Sequence, residues 1–70
     1  MNLIARGTEV FIKRPGLEPL PGVVTAIAIR EAVTYEVTWW KGEEYKTAWF
    51  YDYELAGEWT RRDFGFRGKV

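Results

Sequence analysis

Near its start the chain alternates between apolar and polar residues. The segment from Thr8 to Lys13 reads Thr-Glu-Val-Phe-Ile-Lys. This period-two pattern predicts a β-strand with Val10 and Ile12 on its buried face, and it directs Phe11 to the opposite face.

The next segment, Arg14 to Gly22, predicts a loop of about nine residues, because proline cannot donate to a sheet ladder. It contains all three prolines of the chain, Pro15, Pro19 and Pro21. We expect Leu17 and Leu20 to anchor this loop to the core, since a small domain seldom leaves both leucines in water.

Residues 23–30 and 33–40 predict two long strands separated by a tight turn near Glu31 and Ala32. The first reads Val-Val-Thr-Ala-Ile-Ala-Ile-Arg, and we expect it to be the longest strand. A helix is the competing prediction because alanine favours helices, but the β-branched content and the preceding Pro-Gly favour a strand. The second reads Val-Thr-Tyr-Glu-Val-Thr-Trp-Trp, and its regular alternation predicts a strand.

A hairpin follows, and its loop length decides which aromatic residues lie together. Trp40-Lys-Gly-Glu predicts a two-residue loop with a positive φ at Gly42, and residues 43–50 continue as the next strand. The two-residue loop places Val33, Tyr35, Val37 and Trp39 on one face with Ala48 and Phe50, and it places Trp40, Tyr45 and Trp49 on the other. A three-residue loop would invert the faces of the later strand. We prefer the two-residue loop because it buries Ala48 and Phe50, with Lys46 reaching outward from the margin.

The remaining residues complete the predicted domain. The segment from Tyr51 to Leu55 lacks alternation and predicts a 3₁₀ turn that inserts Leu55 into the core, and Gly57 ends it. Residues 58–62 predict a fifth short strand. We therefore expect a domain over residues 1–58, followed at 59–70 by an aromatic and basic C-terminal strand or tail that packs on the domain or on a neighbouring molecule.

Length and composition limit how this domain is stabilised. A chain of 70 residues forms one domain and buries only about 60% of the surface that its unfolded form exposes. Cys and His are absent, which excludes disulfides and nearly excludes a structural zinc site. The aromatic residues, four each of Trp, Tyr and Phe, supply a core, and we expect Phe11, Tyr35, Trp39 and Phe50 to fill it. A homo-oligomer is the other source of stability.

Charge and hydropathy bear on partners and compartment. Ten basic and ten acidic residues give zero formal net charge, which is not the pattern of a strong, nonspecific nucleic-acid binder. Residues 1–6 are too short and too polar for a signal peptide, and no run approaches the 18 apolar residues of a membrane span. We expect a cytoplasmic protein with no membrane association.

The residue types disfavour catalysis. Cys, His and Ser, the commonest nucleophiles and proton carriers, are all absent. Carboxylates remain, as in Glu43-Glu44 and at Asp52, Glu54 and Glu58, but adjacent acids beside a tight turn are typical of a solvated hairpin tip. We therefore expect no catalytic residues, no cofactor and no metal site, and a protein that is not an enzyme.

The predicted order of elements is that of SH3-like small barrels, which include Tudor and KOW modules. The start of a KOW motif resembles this chain at Gly7, Val10, Ile12 and Lys13, then at Gly16, and then at Gly22-Val23-Val24 and Ile27. Val37-x-Trp39-Trp40-x-Gly42, then Trp49-Phe50 and Glu54-Leu55, resemble the second half of YodC-like small, uncharacterised bacterial proteins. These resemblances imply an all-β fold, an SH3-like barrel of about five antiparallel strands with one 3₁₀ turn.

A third resemblance is to an enzyme. The type II dihydrofolate reductases are small SH3-like chains whose strands are echoed at Gly7 to Val10, Gly22 to Val24 and Tyr35 to Val37. Their tetramer forms one central active-site pore. The family's Val-Gln-Ile-Tyr segment, which lines that pore, would fall near residues 47–50, yet this chain contains no Gln. No catalytic residue carries over, and an oligomeric enzyme is the least favoured of three hypotheses.

The favoured hypothesis is a binding module that uses an exposed aromatic surface for protein–protein interaction or self-association. Its candidate residues are Trp40, Tyr45 and Trp49, joined at the rim by Tyr51 and Tyr53. The alternative is a KOW-like nucleic-acid-binding module, in which aromatic rings stack on bases and basic residues contact phosphates. Its candidate basic residues are Lys13, Arg14, Lys41, Lys46, Arg61 and Arg62.

Overall fold

The computed structural model describes residues 3–57, and in that range every regular element is a strand or a 3₁₀ turn. The elements are β1 (Glu9–Ile12), β2 (Leu20–Ile29), β3 (Val33–Lys41), β4 (Glu44–Tyr51), a 3₁₀ turn (Asp52–Glu54) and β5 (Leu55–Ala56). The predicted all-β class is confirmed, as are the 3₁₀ turn and β2 as the longest strand.

The five strands form one antiparallel sheet in the order β4-β3-β2-β1-β5. The prediction of a closed barrel is wrong for the described residues, because β4 and β5 are the two edges and no ladder joins them. The physical reason is local. β5 has only two residues, both paired with β1, and the 3₁₀ turn separates it from β4.

The loop after β1 is shorter than predicted. Strand β2 begins at Leu20, so Leu20, Pro21 and Gly22 pair with β1 instead of lying in a loop. Proline is tolerated there because β2 pairs with β3 only from Val23 onward, which leaves Pro21 with a single paired neighbour. Leu20 packs against the core as predicted, but Leu17 is 65% exposed, so its anchoring role was predicted wrongly.

The core lies on one side of the sheet. Its buried members are Ile4, Val10, Ile12, Val24, Tyr35, Val37 and Leu55. Trp39 and Phe50 are half-buried against it, with ring centroids 6.2 Å apart, as the prediction of core-filling aromatics required. Phe11 is the exception, at 47% exposed, because strand alternation turns it away from buried Val10 and Ile12.

A β-bulge at Thr25 reverses the alternation within β2. Val24 pairs with Val37, and Ile27 pairs with Tyr35, so two residues separated by three positions both face the core. One extra residue in the strand produces this change of phase. The bulge thereby keeps the apolar residues of both halves of β2 on the core side.

The β3–β4 hairpin has the predicted faces but a shifted loop. The pair Lys41 and Glu44 closes a two-residue loop, Gly42–Glu43, one position later than predicted. Gly42 has the predicted positive φ, 66°, which suits the first loop position of a type II′ turn. The shift moves each cross-strand partner by two residues, an even number, so the side of every residue is unchanged.

After β4 the chain turns back toward β1. The Tyr51 N–H donates to Glu54 Oε1 at 2.8 Å, and the Lys13 N–H donates to the Glu54 carbonyl at 3.0 Å. Leu55 is buried as predicted. The fifth strand described is Leu55–Ala56, and the strand and tail predicted over residues 58–70 lie outside the described range.

An exposed aromatic face as the candidate functional site

The side of the sheet that faces away from the core carries the candidate site. Cross-strand pairing aligns its side chains in rows. One row runs Glu9, Val23, Thr38 and Thr47 across four strands. Beside it, towards the β3–β4 loop, Phe11 pairs with Pro21 and Trp40 pairs with Tyr45, while Trp49 lies on the other side, opposite Glu36. We define the aromatic face as Phe11, Pro21, Val23, Trp40, Tyr45 and Trp49.

Large apolar side chains on this face remain in water. Trp40 is 67% exposed, Tyr45 63% and Trp49 51%, and Phe11 is exposed as well. The predicted grouping of Trp40, Tyr45 and Trp49 on one side, away from the core, is confirmed. Their role in binding stays a prediction.

An aromatic contact on the face joins Trp40 and Tyr45. Their ring centroids lie 5.2 Å apart with an interplanar angle of 66°, an edge-to-face arrangement. Such a pair is favourable because the positive edge of one ring meets the negative face of the other. The contact restrains the two rings against each other, and restrained side chains lose less conformational entropy when a partner binds.

A groove of about 310 Å³ lies beside Trp40. It is lined by Glu9, Val10, Phe11, Pro21, Gly22, Val23, Thr38 and Trp40. Most of these residues are apolar, and Glu9 contributes a carboxylate at the margin. The groove therefore extends the aromatic face from β3 and β4 across to β1.

Gly22 allows the strands under this groove to approach closely. A Cβ placed on Gly22 would lie 2.7 Å from Val37 Cγ1 and 3.0 Å from the Thr38 carbonyl oxygen. Real Cβ atoms do not approach that closely, so a side chain here would force β2 and β3 apart. Glycine at this position thus permits the close packing of β2 against β3 on the core side of the sheet, where Gly22 lies opposite Val10.

Hydrogen bonds hold the polar centre of the face. The Thr25 hydroxyl lies 2.8 Å from Glu36 Oε1 and 3.1 Å from the Thr38 hydroxyl. Because a hydroxyl has one proton and two lone pairs, Thr25 can donate to Glu36 while it accepts from Thr38. This network orients Glu36 next to Trp49, its cross-strand neighbour.

Tyr51 and Tyr53, predicted to join the site at its rim, form a pair of their own. Their rings are stacked, with centroids 5.3 Å apart and an interplanar angle of 7°. Tyr51 lies on the same side of β4 as Trp49, and both tyrosines are exposed. The pair therefore flanks the aromatic face at the end of β4.

Two of the described basic residues of the nucleic-acid hypothesis lie on the opposite side of the sheet from the aromatic face. Lys41 and Lys46 lie on the side of Trp39, and Lys46 Nζ is 3.9 Å from a Glu44 carboxylate oxygen. The guanidinium of Arg14 donates to the Glu18 carbonyl, at 2.9 Å from Nε and 2.6 Å from Nη2. Among these residues, Lys13 directly follows β1.

Arg61 and Arg62 lie outside the described residues. Within residues 3–57, no group of three or more acidic side chains is placed to hold a metal ion. The same range contains no helix with the length and apolar character of a membrane span.

Sequence reasoning missed the β1 and β2 part of the aromatic face. Phe11 was expected in the core, and Pro21 was expected in a loop. The alternation of Phe11 against Val10 and Ile12, which directs it away from the buried face, was the correct signal, and the expectation that Phe11 fills the core was wrong.

Comparisons with protein-family models, with curated proteins and with solved structures find no match for this chain.

Proposed function

We propose that this chain is a non-catalytic binding module that docks its aromatic face on a protein, either another chain or a second copy of itself. One observation carries the proposal. Trp40, Tyr45 and Trp49 are each more than half exposed, on the side of the sheet opposite the core. Large rings that lie in water favour association, because covering them with a partner lowers the free energy of the complex.

The composition of the face is that of a protein interface. Tryptophan and tyrosine dominate binding hot spots because they bury a large area and lose little conformational entropy. The edge-to-face contact between Trp40 and Tyr45 preorganises two of them. The neighbouring groove offers a concave, largely apolar surface for a protruding side chain of the partner.

The charges beside the face favour a protein over a nucleic acid. The charged residues at its strand positions are Glu9 and Glu36, both acidic. Two carboxylates repel a phosphate backbone, whereas nucleic-acid surfaces combine stacking rings with basic side chains. Lys41 and Lys46 lie on the other side of the sheet, so these two lysines are separated from the rings on which bases would stack.

The fold that presents this face is, in our proposal, an open variant of the SH3-like arrangement. Three features support it: β5 returns to pair with β1, a 3₁₀ turn joins β4 to β5, and a proline-containing loop joins β1 to β2. The absence of Cys, His and Ser supports a module that is not an enzyme.

Site-specific photocrosslinking in cells tests the docking surface directly. A photoreactive phenylalanine analogue replaces Thr47, which lies between Tyr45 and Trp49 on the aromatic side of β4. The matched control places the analogue at Lys46, the adjacent residue, whose side chain lies on the other side. We expect protein adducts from position 47 and few from position 46.

A second substitution ties the adducts to the aromatic residues. Trp40→Ala, added to the position 47 variant, should remove the adducts to other proteins while the domain stays folded by circular dichroism. Adducts to RNA, equal labelling from positions 46 and 47, or adducts to other proteins that persist without Trp40 would each contradict the proposal.

A further inference from the structure

The free edge of β4 offers a second surface, distinct from the aromatic face although Tyr45 and Trp49 belong to both. Strand β4 is terminal in the sheet and pairs with β3 through eight consecutive residue pairs with no bulge. It contains no proline and no bulge, two of the features with which proteins protect an edge strand, because unpaired backbone groups invite another strand. The charge of its one lysine, Lys46, is offset by Glu44, whose carboxylate oxygen lies 3.9 Å from Lys46 Nζ.

The register shows which backbone groups of β4 are free. In an antiparallel ladder, alternate residues bond to the neighbouring strand, and those between them direct N–H and C=O away from it. Since Lys41 and Glu44 close the two-residue loop as a bonded pair, the outward positions are Tyr45, Thr47, Trp49 and Tyr51. The bond from the Tyr51 N–H to Glu54 agrees with this phase.

The same bond limits the length of the free edge. Glu54 already accepts from the Tyr51 N–H, so the 3₁₀ turn covers that end of β4. Three residues then present unpaired backbone groups within the described part of the chain, namely Tyr45, Thr47 and Trp49. Thr47 is the middle one.

We propose that a second copy of the chain pairs with this edge, antiparallel, with the twofold axis at Thr47. In that register Thr47 lies opposite the partner's Thr47, and Tyr45 lies opposite the partner's Trp49. All three outward residues of each chain then bond to the partner. The two aromatic faces join into one surface across a ten-stranded sheet.

Charge supports a second copy as the occupant. The chain has zero formal net charge, so two copies approach without long-range repulsion. The register also keeps like charges apart. Lys46 lies opposite the partner's Ala48, and Glu44 lies opposite the partner's Phe50. Like charges directly opposite in a ladder are destabilising, and none occur here.

Sedimentation equilibrium on the full chain tests the pairing through a charge swap at Thr47. We expect the wild-type mass to rise toward twice 8.2 kDa as concentration increases. Thr47→Lys and Thr47→Glu should each raise the dimer dissociation constant by about tenfold or more, because each places like charges opposite across the axis. An equimolar mixture of the two variants should recover the dimer.

A backbone variant tests the hydrogen bonds. Thr47→Pro removes an N–H that β3 does not use, so the monomer fold should persist while dimerisation weakens by about tenfold or more. Ala48→Pro is the matched control, and it should unfold the domain because the Ala48 N–H bonds to β3. If Thr47→Pro also unfolds, the phase assigned to β4 is wrong and the proposal fails with it.

Two further outcomes separate this inference from the proposed function. Trp40→Ala should leave the dimer intact, because Trp40 lies on β3, away from the free edge, even though it abolishes docking on the aromatic face. If Trp40→Ala disrupts the dimer and the charged substitutions at Thr47 leave it unchanged, the chain self-associates through the aromatic face and not through the β4 edge. A wild-type chain that stays monomeric at all concentrations overturns the proposal. The same holds for a monomer in which the chain's own residues 58–70 protect the Thr47 amide from hydrogen exchange.

Discussion

The backbone N–H of Ile4 donates to the hydroxyl of Tyr35 at 3.2 Å, inside the core. This bond ties the segment before β1 to the middle of β3, 31 positions later in the sequence. Within residues 3–57, Tyr35 carries the only hydroxyl among the buried core residues, and this bond gives it the partner that a buried polar group requires.

Tyr35→Phe should lower the free energy of unfolding by about 1–2 kcal/mol, because it leaves the buried Ile4 N–H without its acceptor. Urea denaturation followed by circular dichroism measures the change. The matched control is Tyr53→Phe, at an exposed tyrosine, which should change stability by less than about 0.5 kcal/mol. Equal effects of the two substitutions would show that the Tyr35 hydroxyl contributes nothing specific.

Val37→Ala should destabilise the domain by about 1–3 kcal/mol, because Val37 is completely buried and the deletion leaves a cavity. Binding through the aromatic face should be unchanged once the variant is folded. Val23→Ala, the same deletion on the opposite side of the sheet, should cost much less stability. A selective loss of binding by the Val37 variant would contradict its assignment to the core.

Gly22→Ala should destabilise the domain by about 1–3 kcal/mol through overpacking, since the added Cβ meets Val37 Cγ1 and the Thr38 carbonyl. Thermal unfolding measures this cost. In the double variant with Val37→Ala, part of the clash is relieved, so the combined loss should be smaller than the sum of the single losses. Strict additivity would mean that β2 and β3 separate freely at this point.

Trp49→Ala and Phe50→Ala compare neighbouring aromatic residues on opposite sides of β4. Trp49→Ala should leave the fold intact and weaken partner capture or self-association by about 2 kcal/mol or more. Phe50→Ala should destabilise the domain, because Phe50 packs against the core and against Trp39. If Trp49→Ala unfolds the domain and Phe50→Ala does not, then Trp49 faces the core and Phe50 faces away from it, the reverse of this assignment.

The first four strands, their order along the chain and the faces of β3 and β4 were predictable, because period-two alternation and a glycine-containing hairpin are local signals, whereas β5 at Leu55–Ala56 was not predicted as a strand. The hairpin loop was predicted one position early, yet the faces survived because that error moves every partner by two residues. Leu55 was also placed correctly in the core. The segment before it lacks alternation, which predicted a turn that inserts Leu55 into the core.

Other features depend on tertiary pairing and could not be derived from local patterns. Pro21 lies in a strand because β3 has not yet joined β2 at that point, which no composition rule indicates. The bulge at Thr25 and the close approach at Gly22 are likewise set by the neighbouring strand. The β1 and β2 part of the aromatic face, and hence the groove, was missed for this reason.

The central claim is the β3–β4 register, since it places Trp40, Tyr45 and Trp49 together on the side opposite the core. Nuclear Overhauser contacts between Hα protons measure it directly, because non-hydrogen-bonded pairs bring opposite Cα atoms to about 4.5 Å. We predict strong Hα–Hα contacts between Thr38 and Thr47 and between Glu36 and Trp49. Contacts of Thr38 with Ala48, and of Glu36 with Phe50, would contradict the account, because a one-residue slip would turn Trp49 into the core.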